Sequence, residues 1–140
     1  DTVRGNHDEW FYGISDQNAN YLKNLPIDWK GKIGGKQVFM CHGKPGNNMW
    51  GMYRDHLSET YLKMVLKSLK VDVLVTGHTH MPLYMRVNHG VLINPGSIYT
   101  FNSSRETSQT YGVLDTKTLA FNVFHTGEKE VVSAEIEYEY

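Results

Sequence analysis

Apolar and polar positions along the chain change period several times, and the changes predict the elements. Thr2 to Arg4 reads as the tail of a strand. Asp16 to Leu25 carries a helical pattern that Pro26 ends, and Gln37 to Cys41 is a short apolar run of strand type. A loop rich in Gly, Asn and Pro comes next, "HGKPGNNMWGMYR". From Asp55, a candidate N-cap, to Leu69, apolar residues at Leu57, Tyr61, Met64, Val65 and Leu69 recur at helical spacing and predict a helix with one buried stripe. Val71 to Thr76 is continuously apolar, as strands inside parallel sheets are. Beyond Pro82 the pattern turns hairpin-like: Leu83 to Val87 and Val91 to Ile93 flank "NHG", and Tyr111 to Leu114 and Leu119 to Phe124 flank "DTKT". An α/β front half therefore passes into an antiparallel β back half.

Composition narrows the function classes. A chain of 140 residues, 40% of them hydrophobic, supports one core and is too short for two ordinary domains, so residues 1–140 are expected to form a single unit. A net charge of −1 gives no basic field to gather nucleic acid or an anionic membrane, and no specific nucleic-acid binding is expected. Any phosphate chemistry must come from local groups. Cys41 is the only cysteine, which excludes an intrachain disulfide and predicts a reducing, cytoplasmic location. No run reaches membrane-spanning length and nothing at the start resembles a signal peptide, so no membrane association is expected.

The reactive side chains fall where ligands bind in such folds. "GNHD" follows the first strand, His42 and Gly43 follow the second, and "GHTH" follows the third. Loops at the carboxyl ends of parallel strands share one sheet edge. Asn6, His7, His42, His78 and His80 are thereby aimed at one place. Singly, each has an ordinary reading: a surface His-x-His, a histidine satisfied at a strand end, a Gly-Asn turn. Together they suit borderline metals such as Mn, Fe, Zn or Co, which accept imidazole nitrogen and amide oxygen. His56, His89 and His125 lie outside these loops and read as structural. Trp10, Phe11, Tyr12, Met49, Trp50, Met52 and Tyr53 cluster in the two loops after "GNHD" and His42. Core packing or a subunit contact is their favoured use, which leaves a homo-oligomer open. The other use is a stacking wall for a nucleobase or aryl phosphodiester, with Lys44 and Arg54 adding phosphate contacts. "NPGS" at 94–97 reads equally as a Pro-Gly turn or as backbone drawn close to the site, with Gly96 lacking a Cβ and Asn94 or Ser97 offering hydrogen bonds.

"VRGNHDEW", "VFMCHGKP", "VLVTGHTHMP" and "LINPGS", in that order, resemble the later motifs of the calcineurin-like metallophosphoesterases, particularly the small branch of bacterial and archaeal phosphodiesterases. The resemblance covers about residues 1–115. It implies an α/β fold, the C-terminal portion of a four-layer α/β/β/α sandwich, and hydrolysis of a small phosphoester, a phosphodiester in preference, at a dinuclear metal centre. By motif match, Asn6, His42 and His78 would bind one divalent ion and His80 the other, with manganese the leading candidate and Zn, Fe, Ni or Co also suited. His7 would be the catalytic residue beside the leaving-group oxygen. The retromer subunit resembles the same phosphoesterases, so a catalytically inactive partner-binding scaffold is the alternative; the intact later motifs favour the hydrolase.

The departures from that pattern are acidic. The family's earlier Asp-x-His and Gly-Asp motifs occur nowhere in the chain. Charge asks for them independently: two divalent ions held only by neutral Asn and His would leave about four uncompensated positive charges in a small volume. Asp72 begins the strand whose far end carries the histidines, roughly 15 Å away at about 3.3 Å per residue. Asp8 is near enough, but one carboxylate is a poor substitute. With "GNHD" reached by residue 5 and no initiating methionine, the chain is expected to be an N-terminally truncated domain, inactive alone, whose first strands, helices and acidic motifs lie upstream. In the complete enzyme the resemblance implies two-metal hydrolysis, with His7 donating a proton to the leaving alkoxide.

Overall fold

The computed structural model describes residues 1–10, 12–88, 90–99, 109–126 and 131–132. Phe11, one of the clustered aromatics, and His89, read as structural, lie outside the described residues. The elements are α1 (Asp16–Lys23), β1 (Asp28–Ile33), β2 (Lys36–Cys41), α2 (Glu59–Leu69), β3 (Val73–Val75), β4 (Pro82–Val87), β5 (Gly90–Pro95), β6 (Thr110–Leu114), β7 (Phe121–His125) and β8 (Val131–Val132).

Five strands form one sheet in the order β1-β2-β3-β5-β4, and β6-β7-β8 form a second. At the centre of the first, β2, β3 and β5 run parallel, with Val38 opposite Val73 and Val73 opposite Val91. β1 and β4 close the two edges antiparallel. The central strands are buried on both faces, which is why β3 reads as an unbroken apolar run: Val73 and Leu74 are fully buried.

Each face has its own core. Leu62 and Leu66 of α2 pack with Phe39, Leu74, Met85 and Leu92 on one side. On the other, Val38, Val73, Tyr84, Val91 and Ile93 meet Leu119 in the turn between β6 and β7, with Leu114 and Phe121 of the second sheet packed against them. The layers are thus helix, sheet, sheet among the described residues, a mixed α/β arrangement as the sequence predicts. Tyr84 crosses the second interface, donating its hydroxyl to the Leu119 carbonyl at 3.0 Å.

Four local expectations are corrected. Residues 2–4 are not a strand; the segment is held by the Arg4 amide donating to the Pro26 carbonyl at 2.7 Å. The N-cap of α2 is Ser58, whose Oγ accepts from the Tyr61 amide at 3.2 Å, while Asp55 sits in a preceding 3-10 turn, Arg54–His56. The helix buries Leu62 and Leu66, with Leu57, Tyr61, Val65 and Leu69 flanking them, and Met64 points outward, 60% exposed. β1 has no counterpart among the expected elements. "DWKGKI" has charged residues on its outer positions and an edge place in the sheet, and the Gly34–Gly35 turn, both residues at positive φ, folds it back on β2.

Candidate metal centre

The parallel trio β2, β3, β5 ends on one sheet edge, and the segments just past the strand ends build the site. β2 runs out at Cys41 into His42, β3 into "TGHTH", and β5 ends at Asn94 and Pro95. The Gly77 amide donates to the His42 carbonyl at 2.8 Å, which fastens the second and third loops together. Asn6, on the first loop, reaches His42 across 36 residues of chain: its Oδ1 lies 2.8 Å from His42 Nε2. An amide oxygen only accepts, so Nε2 of His42 carries the proton there. His78 Nδ1 lies 3.4 Å from the same nitrogen, with the two rings edge to face.

Those separations are a direct test of fit for a metal ion. At bonds of about 2.1 Å, two ligands lie about 3.0 Å apart at right angles and about 3.4 Å apart in tetrahedral geometry. The separations of Asn6 Oδ1 and His78 Nδ1 from His42 Nε2 are close to those values, and an amide oxygen with two imidazoles is a suitable donor set for Mn, Fe, Zn or Co. Among the described residues, no three His, Cys, Asp or Glu side chains close a site by themselves. The trio needs Asn6 as its third member.

His80 and His7 stand further out. Neither hydrogen-bonds to the trio, yet both act on it by charge. Burial holds His42 below the ordinary histidine value, and His78 adds to that depression; Asp8 opposes it, and His80 and His7 contribute smaller depressions. His78 is lowered by burial first, then by His80 and His7. Both imidazoles of the trio are therefore neutral at pH 7, the form that binds metal. His7 begins a short 3-10 turn with its ring 5.4 Å from that of Trp10.

Three supporting groups are only faintly signalled in the sequence. Asp8 reads there only as a carboxylate near the site and a poor substitute for the missing acidic motifs. Its Oδ2 in fact accepts from the Gly5 amide at 2.7 Å, and a Cβ on Gly5 would stand 3.2 Å from that oxygen and 3.3 Å from the His42 ring. Asn94 is fully buried and donates from Nδ2 to the Gly77 carbonyl at 2.9 Å and to Thr79 Oγ1 at 3.0 Å, while its Oδ1 accepts from the Gly96 amide at 2.9 Å. The loop it clamps is strained: His78 and His80 both take positive φ, 66° and 58°. Of the two uses offered for "NPGS", Asn94 thus serves the site, whereas Gly96 turns away to pack on Thr110 and Pro82. The third is Tyr53, whose ring lies 6.5 Å from that of His78 and 6.2 Å from that of His56.

Cys41 adjoins His42 but faces the core. Burial, with Asp28 nearby, pushes its thiol up to about 12, so it offers no thiolate to a metal. Asp72, at the far end of β3, accepts from the Gln37 amide at 2.7 Å and takes no part in the site.

The fold and site together define an α/β protein with an imidazole- and amide-lined sheet edge of the kind that holds divalent ions. A model of the calcineurin-like phosphoesterase superfamily domain matches residues 1–119, and the chain belongs to that superfamily. Its members are metallophosphoesterases that generally bind divalent metals. Uncharacterized protein MJ0912 of Methanocaldococcus jannaschii is 28% identical over 87 residues, 61% of this chain and 33% of that protein. The crystal structure of hypothetical protein PH1004 from Pyrococcus horikoshii superposes with a TM-score of 0.70 at 22% identity, covering 88% of this chain and 61% of that one. Vps29 from Entamoeba histolytica, complexed with zinc, has the same fold at a TM-score of 0.54 and 24% identity, over 77% of this chain and 58% of its own. The chain spans a third of the curated relative and three-fifths of the first of these structures. No helix among the described residues is long and apolar enough to cross a membrane.

Proposed function

We propose that this chain contributes half of a dinuclear metal centre that hydrolyses a small phosphoester, a phosphodiester in preference. Asn6, His42 and His78 hold one ion and His80 the second, with manganese the ion of choice. The observation that carries this reading is the convergence of Asn6 Oδ1 and His78 Nδ1 on His42 Nε2, at 2.8 and 3.4 Å, from three different loops. When bound, divalent ions supply a water acidified to near neutral pH and positive charge against the phosphoryl oxygens.

The protein's own residues set up the rest. Desolvation keeps His42 and His78 unprotonated, so protons compete little for the donor nitrogens. His42 would hold an ion through Nε2 with its own proton on Nδ1, the side where Gly5 and Asp8 lie, and the Asp8 carboxylate would favour that arrangement by charge. His7, outside the donor trio and exposed, would give a proton to the departing alkoxide. The trio is neutral, so the anionic ligands that two ions require come from outside these 140 residues, in Asp-x-His and Gly-Asp motifs of the whole protein.

The test is a pair of variants in the whole protein loaded with Mn2+, assayed on bis(p-nitrophenyl) phosphate. His7→Ala should lower turnover by about a hundredfold or more with metal content unchanged, the range for loss of a general acid. His42→Ala should lose metal and activity together. A His7→Ala protein that loses metal in proportion to activity would move His7 into the donor set. Full activity in His42→Ala would remove the proposal.

A second reading, a partner-binding scaffold of the same fold, has one observation in its favour. Trp10, Tyr12, Met49 and Trp50, in the two loops after "GNHD" and His42, are more than half exposed.

A further inference from the structure

Beside the candidate metal centre lies a second recess that the donor residues do not use. It encloses about 190 Å³ and is bounded by Lys44, Trp50, Tyr53, His56 and Tyr61, with Met52 beneath. Whole-ligand pockets run from about 300 to 1,000 Å³, so this one admits a single planar group and not an entire substrate. Its floor is fixed, since Met52 is 3% exposed and belongs to the α2 core cluster. Its walls are not: Trp50 is 63% exposed and Tyr53 41%, large rings left open to solvent next to a polar site. Exposed aromatic faces bounding a recess with an apolar floor suit stacking against another π-system.

The recess and the donor trio share a wall. A Cβ on Gly51 would come within 2.9 Å of His78 Cδ2 and 2.6 Å of Thr79 Cγ2, so the backbone passes against the "GHTH" loop with no side chain between. The Tyr53 ring neighbours those of both His56 and His78, steeply inclined to each at 68° and 84°. The loop that presents these groups is built, not loose. Lys44 and Asn47 exchange backbone hydrogen bonds at 3.0 and 2.9 Å across Pro45 and Gly46, the latter at a φ of 78°. A Cβ on Gly43 would meet the Asn47 and Trp50 carbonyls at 2.6 Å each, so this turn folds back tightly on the strand end. Lys44, exposed at the mouth, supplies the cation that a phosphate-bearing ligand would meet on entry.

We infer that this recess takes the planar aromatic group of a phosphoester, a nucleobase or an aryl ring, stacked on Trp50 and Tyr53 while the phosphate lies toward His42 and His78. The inference deepens the hydrolase reading and rests on it for the placement of the phosphate. The recess itself selects the organic half of the substrate. A phosphoester without a ring fills none of it.

The experiment separates the two claims by omitting metal. The 15N-labelled full chain is titrated in EDTA with AMP, phenyl phosphate and ribose 5-phosphate, following the Trp50 indole N–H and the Tyr53 and Tyr61 amides by NMR. AMP and phenyl phosphate should shift these signals and ribose 5-phosphate should not. Tighter binding of AMP assigns a nucleobase, and tighter binding of phenyl phosphate a simple aryl ester. Trp50→Ala, at an exposed position that leaves the fold intact, should weaken the ring-bearing ligands about fivefold to a hundredfold and leave ribose 5-phosphate unchanged. Equal affinity for all three ligands, or an AMP affinity indifferent to Trp50→Ala, overturns the inference. A parallel Mn2+ titration without EDTA reads the donor trio alone, so loss of metal binding would strike the hydrolase reading without touching the ring pocket.

Discussion

Replacing Asn94 with alanine tests the clamp on the histidine loop, and its contacts set the magnitude. The side chain is fully buried and makes three hydrogen bonds. Two of its partners retain others: the Gly77 carbonyl still accepts from Thr79, and Thr79 Oγ1 still accepts from Met81. The half-buried Gly96 amide loses its acceptor, at a cost toward the low end of the about 1–3 kcal/mol that a buried orphaned donor carries. The other two bonds add about 1 kcal/mol each, and relaxation of the left-handed His78 and His80 returns part of that. We expect Asn94→Ala to lower unfolding stability by about 3 kcal/mol in urea titrations, with the m-value unchanged. The relaxation that softens the stability loss displaces His78 from His42, so affinity for Zn2+, measured by calorimetry on the folded variant, should fall at least about tenfold. Asn94→Asp keeps the acceptor for Gly96 but faces a carboxylate toward the Gly77 carbonyl, and should rescue neither property. A stability loss below about 1 kcal/mol together with native Zn2+ affinity would refute the idea that Asn94 holds the loop.

Other consequences come from the same geometry. His42 and His78 sit below the unfolded histidine value of 6.5, so they add nothing against folding above it. The unfolded chain takes up protons first as pH falls from 6.5 toward the folded values; metal-free stability should therefore drop across that window, and His42→Asn should flatten the drop in urea midpoints between about pH 7.5 and 5.5. Gly51→Ala drives a methyl into His78 and Thr79 and should reduce Zn2+ affinity, whereas Gly35→Ala, strained by its φ of 86° in the β1–β2 turn but with a Cβ that meets nothing, should cost stability and leave Zn2+ affinity unchanged in the same calorimetric assay. Leu62→Ala should cost about 2–5 kcal/mol because Leu62 is fully buried, while Met64→Ala, on the outer face of α2, should change stability by less than about 0.5 kcal/mol in thermal melts.

Much of the site is legible in the sequence because its logic is topological. Once three apolar runs are read as strands, Asn6, His42 and His78 must meet where the strands end, whatever the details of the loops. The exception is instructive: residues 2–4 deliver Asn6 to the site without being a strand, with the Arg4 amide donating to the Pro26 carbonyl and its guanidinium to the Lys23 carbonyl. β1 leaves little trace because its alternation is carried by Trp29 and Gly31 against charged outer positions, the pattern of a protected edge and not of a core strand. The stripe of α2 depends on where the helix starts. Placing the cap at Asp55 in place of Ser58 brings Met64 inward and leaves out Leu62 and Leu66, the two residues that carry the packing. Asn94 is one of several polar candidates in "NPGS", and only tertiary contacts single it out. Positive φ at His78 and His80 has no local signal, since neither residue is glycine and the conformation is imposed by Asn94 and by the Gly77 link to His42.

That Asn6, His42 and His78 share one ion is the central claim, and histidine tautomers report it most directly. In the metal-free protein, long-range 1H–15N spectra should show His42 protonated at Nε2, the nitrogen that donates to Asn6. Adding diamagnetic Zn2+ at about pH 7.5 should move that proton to Nδ1, fix His78 as its Nε2–H form with Nδ1 on the metal, and shift the Asn6 side-chain amide in the same step. If Zn2+ leaves the His42 tautomer unchanged at saturation, the trio is not a metal site and the proposed hydrolase loses its centre.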